Sequence, residues 1–149
     1  MIFNFMFRKI IAKLIGVPAN PFHPLAFING RPEIGKNVCI GFFSEVNAKK
    51  AKVKIGDNCD IASFVAINAA DSHRRALELM PEIERGDIIL ENNVFVGSHC
   101  FIGGGVYIGH HSVVAAGTII TRPCKIPPYS LVVGNPFVVK TGYYSKQQK

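Results

Sequence analysis

Four cysteines are present, but no C-x-x-C pair, which argues against a zinc ribbon and a thioredoxin-like redox motif. Their pattern is that of reduced thiols in a cytoplasmic protein. No apolar run is long enough to span a bilayer. The stretch from Met1 to Val17 is rich in Ile and Phe, but Arg8, Lys9 and Lys13 interrupt it. Its order is also wrong for a secretory leader, in which charge comes first and the apolar run afterwards. Acidic residues are scarce, 10 against 17 basic ones, and the net charge is +7. That balance favours an anionic partner: nucleic acid, a membrane surface or a phosphate-bearing small molecule. No nucleic-acid-binding motif or aromatic platform accompanies the charge, so no nucleic acid is expected.

What the chain does have is length and apolar content for one globular domain, with 149 residues and 48% apolar. Residues 1–17 read as an amphipathic helix, because Phe3, Met6, Phe7, Ile10 and Leu14 fall at helical spacing. Such a stripe either packs on the body of the protein or makes peripheral membrane contact with a basic polar face outward. Residues 18–149 form the body.

The body carries a repeat. Stepping by six from Leu90 gives Val96, Ile102, Ile108, Val114, Ile120, Ile126, Val132 and Val138, all aliphatic. The position four later holds small or medium residues, among them Cys100, Ser112, Thr118, Cys124 and Ser130. Cys59 belongs to the same inward column, so these thiols read as core residues and not nucleophiles. In the N-terminal half, Ile28, Ile34, Ile40 and Val46 form one run, and Ile55, Ile61 and Ile67 a shifted one. The shift predicts an insertion or bulge near Lys49 to Lys54. A period of six does not fit a helix. It fits a flat triangular coil of three strands, stacked in parallel about 4.7–4.9 Å apart. Glycines follow the aliphatic residue at Gly35, Gly41, Gly56, Gly97, Gly103 and Gly109, where they are expected to supply unusual corner angles. The fold class is therefore all-β, a parallel β-helix with a short N-terminal helix and one long protruding loop. That loop, 69–88, is charged and breaks the rhythm, which marks it as functional or disordered. Ala76 to Met80 is expected to form a helical turn.

The 18-residue period serves as a ruler. It aligns Ser98, Ala116 and Gly134 as a slot of minimal side chains in which an extended ligand can lie. It also pairs Arg122 with Lys140 as two stacked cations suited to phosphate. His73 stands in the long loop, with Asp71 and Glu45 as carboxylates to orient it. Asn68, Asp71 and Glu45 are the candidate acceptor-binding residues.

The segment Ile88-Ile-Leu-Glu-Asn-Asn-Val-Phe-Val-Gly-Ser-His-Cys-Phe-Ile-Gly, running on to Arg122, resembles the hexapeptide acyltransferases. It is most similar to their maltose/galactoside and capsule or O-antigen sugar O-acetyltransferases. The tail Ile126-Pro-Pro-Tyr-Ser-Leu-Val-Val-Gly-Asn-Pro136 resembles that group's closing signature, and the likeness spans about Ile34 to Lys140. The resemblance implies a left-handed β-helix and acetyl-CoA as co-substrate. It implies His73 as the catalytic base, and coenzyme A held by Ser98, Ala116, Thr121 and Arg122. It further implies a homotrimer with active sites between subunits and a sugar-type acceptor. No metal is expected: zinc-binding relatives use an H-x4-H pair, and none of the five histidines here is so spaced. The family's sugar O-acetyltransferases often carry an Asn about 30 residues before the histidine. Here that region reads Phe42-Phe43-Ser44-Glu45. An N-acetyltransferase acting on a nucleotide-linked amino sugar, and a non-catalytic hexapeptide scaffold, are therefore the alternatives.

Overall fold

The computed structural model describes residues 2–17 and 19–145. From Phe27 onward the chain winds five turns of a triangular solenoid, the parallel β-helix that the repeat predicts, left-handed as the family resemblance implies. The first face stacks Phe27–Gly30, Glu45–Ala48, Ala66–Asn68, Phe101–Gly103 and Ile119–Ile120. The second stacks Glu33–Ile34, Val53–Ile55, Ile88–Leu90, Val106–Ile108 and Cys124–Ile126. The third stacks Cys39–Ile40, Asp60–Ile61, Phe95–Val96, Val113–Val114 and Leu131–Val133.

Register explains the two irregularities. Ile28 pairs with Val46, an offset of 18, but Val46 pairs with Ile67, an offset of 21. The three extra residues are the turn around Lys49 and Lys50, where an insertion was expected. Val53 pairs with Ile88, an offset of 35, because the long loop intervenes. Offsets return to 18 from Ile88 to Val133.

The aliphatic column fills the interior. Leu90, Val96, Ile102, Ile108, Val114, Ile120, Ile126 and Val132 are each 0% exposed. Each such side chain contributes about 1.5–3 kcal/mol by leaving water. Ser112, Thr118 and Ser130 are buried too, and spend their hydroxyls on carbonyls of the stack: Ser130 Oγ donates to Pro127 O at 2.7 Å, and Thr118 Oγ1 to Ala115 O at 2.6 Å. Val138, the ninth member of the column, does not belong to it and is 57% exposed. The chain reverses after Gly134, and Val138–Lys140 returns antiparallel to Leu131–Val133.

Corners and glycines differ from expectation. The left-handed backbone positions are held mostly by larger residues: Asn37, Asn58, Asn93, His111 and Tyr129 at one corner, Phe43, Phe64 and His99 at another. The glycines after the aliphatic residue serve close stacking instead. A Cβ on Gly97 would lie 2.5 Å from the Ala116 nitrogen, and one on Gly109 2.5 Å from the Pro128 nitrogen.

Helix α1 spans Ile2–Leu14. The described part of its apolar stripe does not pack on the body: Met6, Phe7, Ile10 and Leu14 are exposed, and Ala12, on another face, is buried. The Phe3 side chain lies outside the described residues. No helix among the described residues is long and apolar enough to cross a membrane.

Cys59 and Cys100 are buried, and burial raises both thiols above their ordinary range. Cys39 is exposed. Maleimide treatment of the native protein, followed by mass measurement, is therefore expected to label Cys39 first and to spare Cys59 and Cys100 until denaturant is added.

Candidate active site

The long loop is an arm. Ala70–Asp71 and Glu84–Arg85 pair antiparallel at its base, with Ala70 opposite Arg85 and Asp71 opposite Glu84. Arg74 bridges to Glu84 at 3.1 Å. The helical turn lies at His73–Ala76 and not at Ala76–Met80. It starts early because Asp71 Oδ1 accepts the His73 backbone N–H at 3.0 Å, and an Asx contact of this kind nucleates a turn.

That same oxygen lies 2.6 Å from His73 Nδ1. The two hydrogen bonds from His73, backbone first and ring second, hold the Asp71 carboxyl below its ordinary range. An ionised carboxylate there can only accept, so Nδ1 carries a hydrogen, and in the neutral ring Nε2 is the nitrogen that holds the lone pair. Both side chains are exposed, so the pair is open to solvent beside the arm's base.

A cavity of about 420 Å³ opens between the arm's base and the first face, lined by Asn68, Asp71, Arg85, Gly103, Gly105 and Thr121. The structure thus brings Asn68, Asp71 and Thr121 together. Glu45 lines a separate hollow of about 340 Å³ with Phe27 and Phe43, where burial raises its carboxyl pKa.

Ser98 and Ala116 occupy the corner between the third and first faces, and Gly117 N donates to Ser98 O at 2.9 Å. Gly134 sits above them, accepting from Ile119 N at 3.3 Å and donating to Thr118 Oγ1 at 3.2 Å. The predicted pairing of Arg122 with Lys140 is not formed. Lys140 lies opposite Leu131 on the third face, because the strand that carries it has reversed. Arg122 stays at the corner between the first and second faces, its guanidinium 5.1 Å from the Phe137 ring centroid.

The other histidines are dispersed. His99 stacks on Phe64 at 5.0 Å, whereas His110 and His111 are half-buried against Tyr129. Among the described residues no group of three metal-ligating side chains gathers.

Comparison with known proteins bears on this arrangement. The family model described as bacterial transferase hexapeptide (six repeats) matches residues 87–122. Galactoside O-acetyltransferase of Escherichia coli K12 is 36% identical over 108 residues, covering 68% of this chain and 52% of that enzyme. The chain belongs to the hexapeptide-repeat acyltransferase family. A solved galactoside acetyltransferase in complex with coenzyme A superposes with a TM-score of 0.54 at 26% identity, covering 91% of this hexapeptide-repeat chain and 78% of that one. AntD, an N-acyltransferase from Bacillus cereus in complex with dTDP and 3-hydroxybutyryl-CoA, shares the fold with a TM-score of 0.68 at 19% identity, covering 83% and 71%. The chain spans about half the length of the first curated relatives it matches, 52% and 44%.

Sequence reading missed the hexapeptide-repeat chain's glycine floor at Gly103–Gly105 and the returning strand Glu84–Arg85. It also missed a ladder of asparagines, Asn29, Asn47 and Asn68, in which Nδ2 of each donates to Oδ1 of the next at 3.1 Å. Spacings of 18 and 21 in the sequence are its signal.

Proposed function

We propose that this chain transfers the acetyl group of acetyl-CoA to a hydroxyl of a sugar or glycan precursor. The observation that carries the reading is the His73–Asp71 pair, which engages Nδ1 and leaves Nε2 available to an acceptor hydroxyl, on an arm whose base lines a cavity. Nε2 takes the hydroxyl proton as the acceptor oxygen attacks the thioester carbonyl carbon. The carbon–sulfur bond then breaks and the proton passes to the departing thiolate, giving an O-acetyl ester and coenzyme A. The slot of Ser98, Ala116 and Gly134 fits a thin extended donor, and Thr121 and the exposed guanidinium of Arg122 suit its phosphates. The family's resemblance supports a homotrimer with the arm of one subunit facing the slot of another.

The test is to incubate purified protein with acetyl-CoA and a panel of sugars, following thiol release and product mass. A protein that binds no coenzyme A in calorimetry is a scaffold and not a transferase. An amine on a nucleotide-linked amino sugar is the second reading, favoured by Glu45 standing in the region where sugar O-acetyltransferases often carry an asparagine. An amine needs less help from a base, so a His73 variant would then lose less activity.

A further inference from the structure

The asparagine ladder has a fixed polarity. Asn47 Oδ1 accepts the Lys49 backbone N–H at 3.2 Å, and Asn68 Oδ1 accepts the Ala70 backbone N–H at 3.0 Å. A backbone N–H can only donate, so in both residues the oxygen is identified by its partner and the amide orientation is set. Asn68 Oδ1 therefore carries two bonds, from Asn47 Nδ2 and from Ala70 N. Its Nδ2 continues the upward direction of the ladder.

The next rung is missing. In the parallel register Asn68 lies beside Gly103, which has no side chain to accept. The space above is the cavity at the base of the arm, of which both residues are part. No protein acceptor for Asn68 Nδ2 is found among the described residues. A half-buried amide donor directed into a cleft, with its other end pinned twice, is a preorganised hydrogen-bond donor for a ligand.

We propose that Asn68 Nδ2 binds an uncharged oxygen of the substrate, placed over Gly103, which supplies the missing rung. The oxygen is either a carbonyl of the acyl-pantetheine donor or a hydroxyl or ring oxygen of the acceptor. The inference rests on the transferase reading above and adds to it a residue that positions substrate from the first face, opposite the arm.

The test is a single-atom exchange. Asn68→Asp keeps Oδ1 for Asn47 and Ala70 and replaces only the donor by a second oxygen. Steady-state kinetics with acetyl-CoA and the acceptor found by turnover should then show one KM raised about tenfold or more. A rise in the acetyl-CoA KM assigns the oxygen to the donor, and a rise in the acceptor KM assigns it to the acceptor. The melting temperature should move by no more than about 3 °C. As a control, Asn29→Asp sets two oxygens face to face at the foot of the ladder and leaves both bonds to Asn68 Oδ1 in place; it should lower the melting temperature and leave both KM values unchanged.

Gly103→Ala is the second variant. Its Cβ would stand 3.2 Å from Ile120 O and 3.3 Å from the Phe101 ring, so shifts of a few tenths of an ångström suffice to admit it, and it places a methyl group at the rung. It should raise the same KM. Wild-type protein that binds no acetyl-CoA overturns the transferase reading and this one together. Active wild-type protein with unchanged KM values in Asn68→Asp and Gly103→Ala overturns this one alone.

Discussion

Replacing His73 with alanine is expected to lower kcat/KM for acetyl transfer by about 10²–10⁴-fold, the usual worth of a positioned general base. Affinity for coenzyme A should change by less than about twofold, because the slot of Ser98 and Ala116 belongs to the solenoid and not to the arm. Calorimetry with coenzyme A beside initial-rate kinetics separates the two. Full activity in the variant would remove His73 from the chemistry. Asp71→Asn tests the same pair from the other side. The carboxyl is held below its ordinary range by its bonds to His73, so it stays ionised wherever the assay is run near neutral pH. An amide cannot hold Nδ1–H by charge and can instead offer it a donor, which favours the wrong tautomer. Because the pair is exposed, the loss should be smaller, about 10–100-fold.

The second large effect concerns stability. Gly97→Ala is expected to cost about 3 kcal/mol, because the new methyl meets backbone and not a movable side chain. Its three nearest atoms belong to Ala115 and Ala116 of the next coil, the closest at 2.5 Å. Gly117→Ala is the contrasting case. Nothing lies within 4 Å of a Cβ there, but the residue has φ +73°. Only the left-handed conformation opposes it, at about 1 kcal/mol, and Phe43, Phe64 and His99 already occupy the same corner with that conformation. Urea melts of the two variants should therefore rank in the order Gly97→Ala, then Gly117→Ala, then wild type, from least to most stable. Equal effects would mean that the glycines serve corner angles after all.

The two glycines also show what was legible in the sequence. The period of six gave the interior column because each coil repeats one local pattern, and local patterns survive in sequence. The reason for a glycine is set by the coil above it, 18 positions away, and does not show in its own neighbourhood. The pairing of Arg122 with Lys140 failed for a related reason: the ruler assumes one direction, and the chain reverses after Gly134. At the site, the interruption that carries His73 was plain, since it breaks a rhythm. The cavity beneath it was not, because Glu84–Arg85 returns to Ala70–Asp71 through pairing, which leaves no period behind. The asparagine ladder was hidden by the three extra residues near Lys49, which move Asn68 off the spacing that Asn29 and Asn47 share.

The reversal after Gly134 has a further consequence. A stack of identical parallel coils is a template without a natural last member: its final strand offers the same row of backbone groups as every strand before it. Another chain, or another copy of this one, can be read as simply the next layer. The strand Val138–Lys140 occupies the third edge in the opposite sense, and with it Lys140 places a charge on the rim. On that side the pattern is answered by a segment that does not repeat it. The protein thus carries a terminator for that face, and shortening the chain before Val138 would uncover the Leu131–Val133 edge.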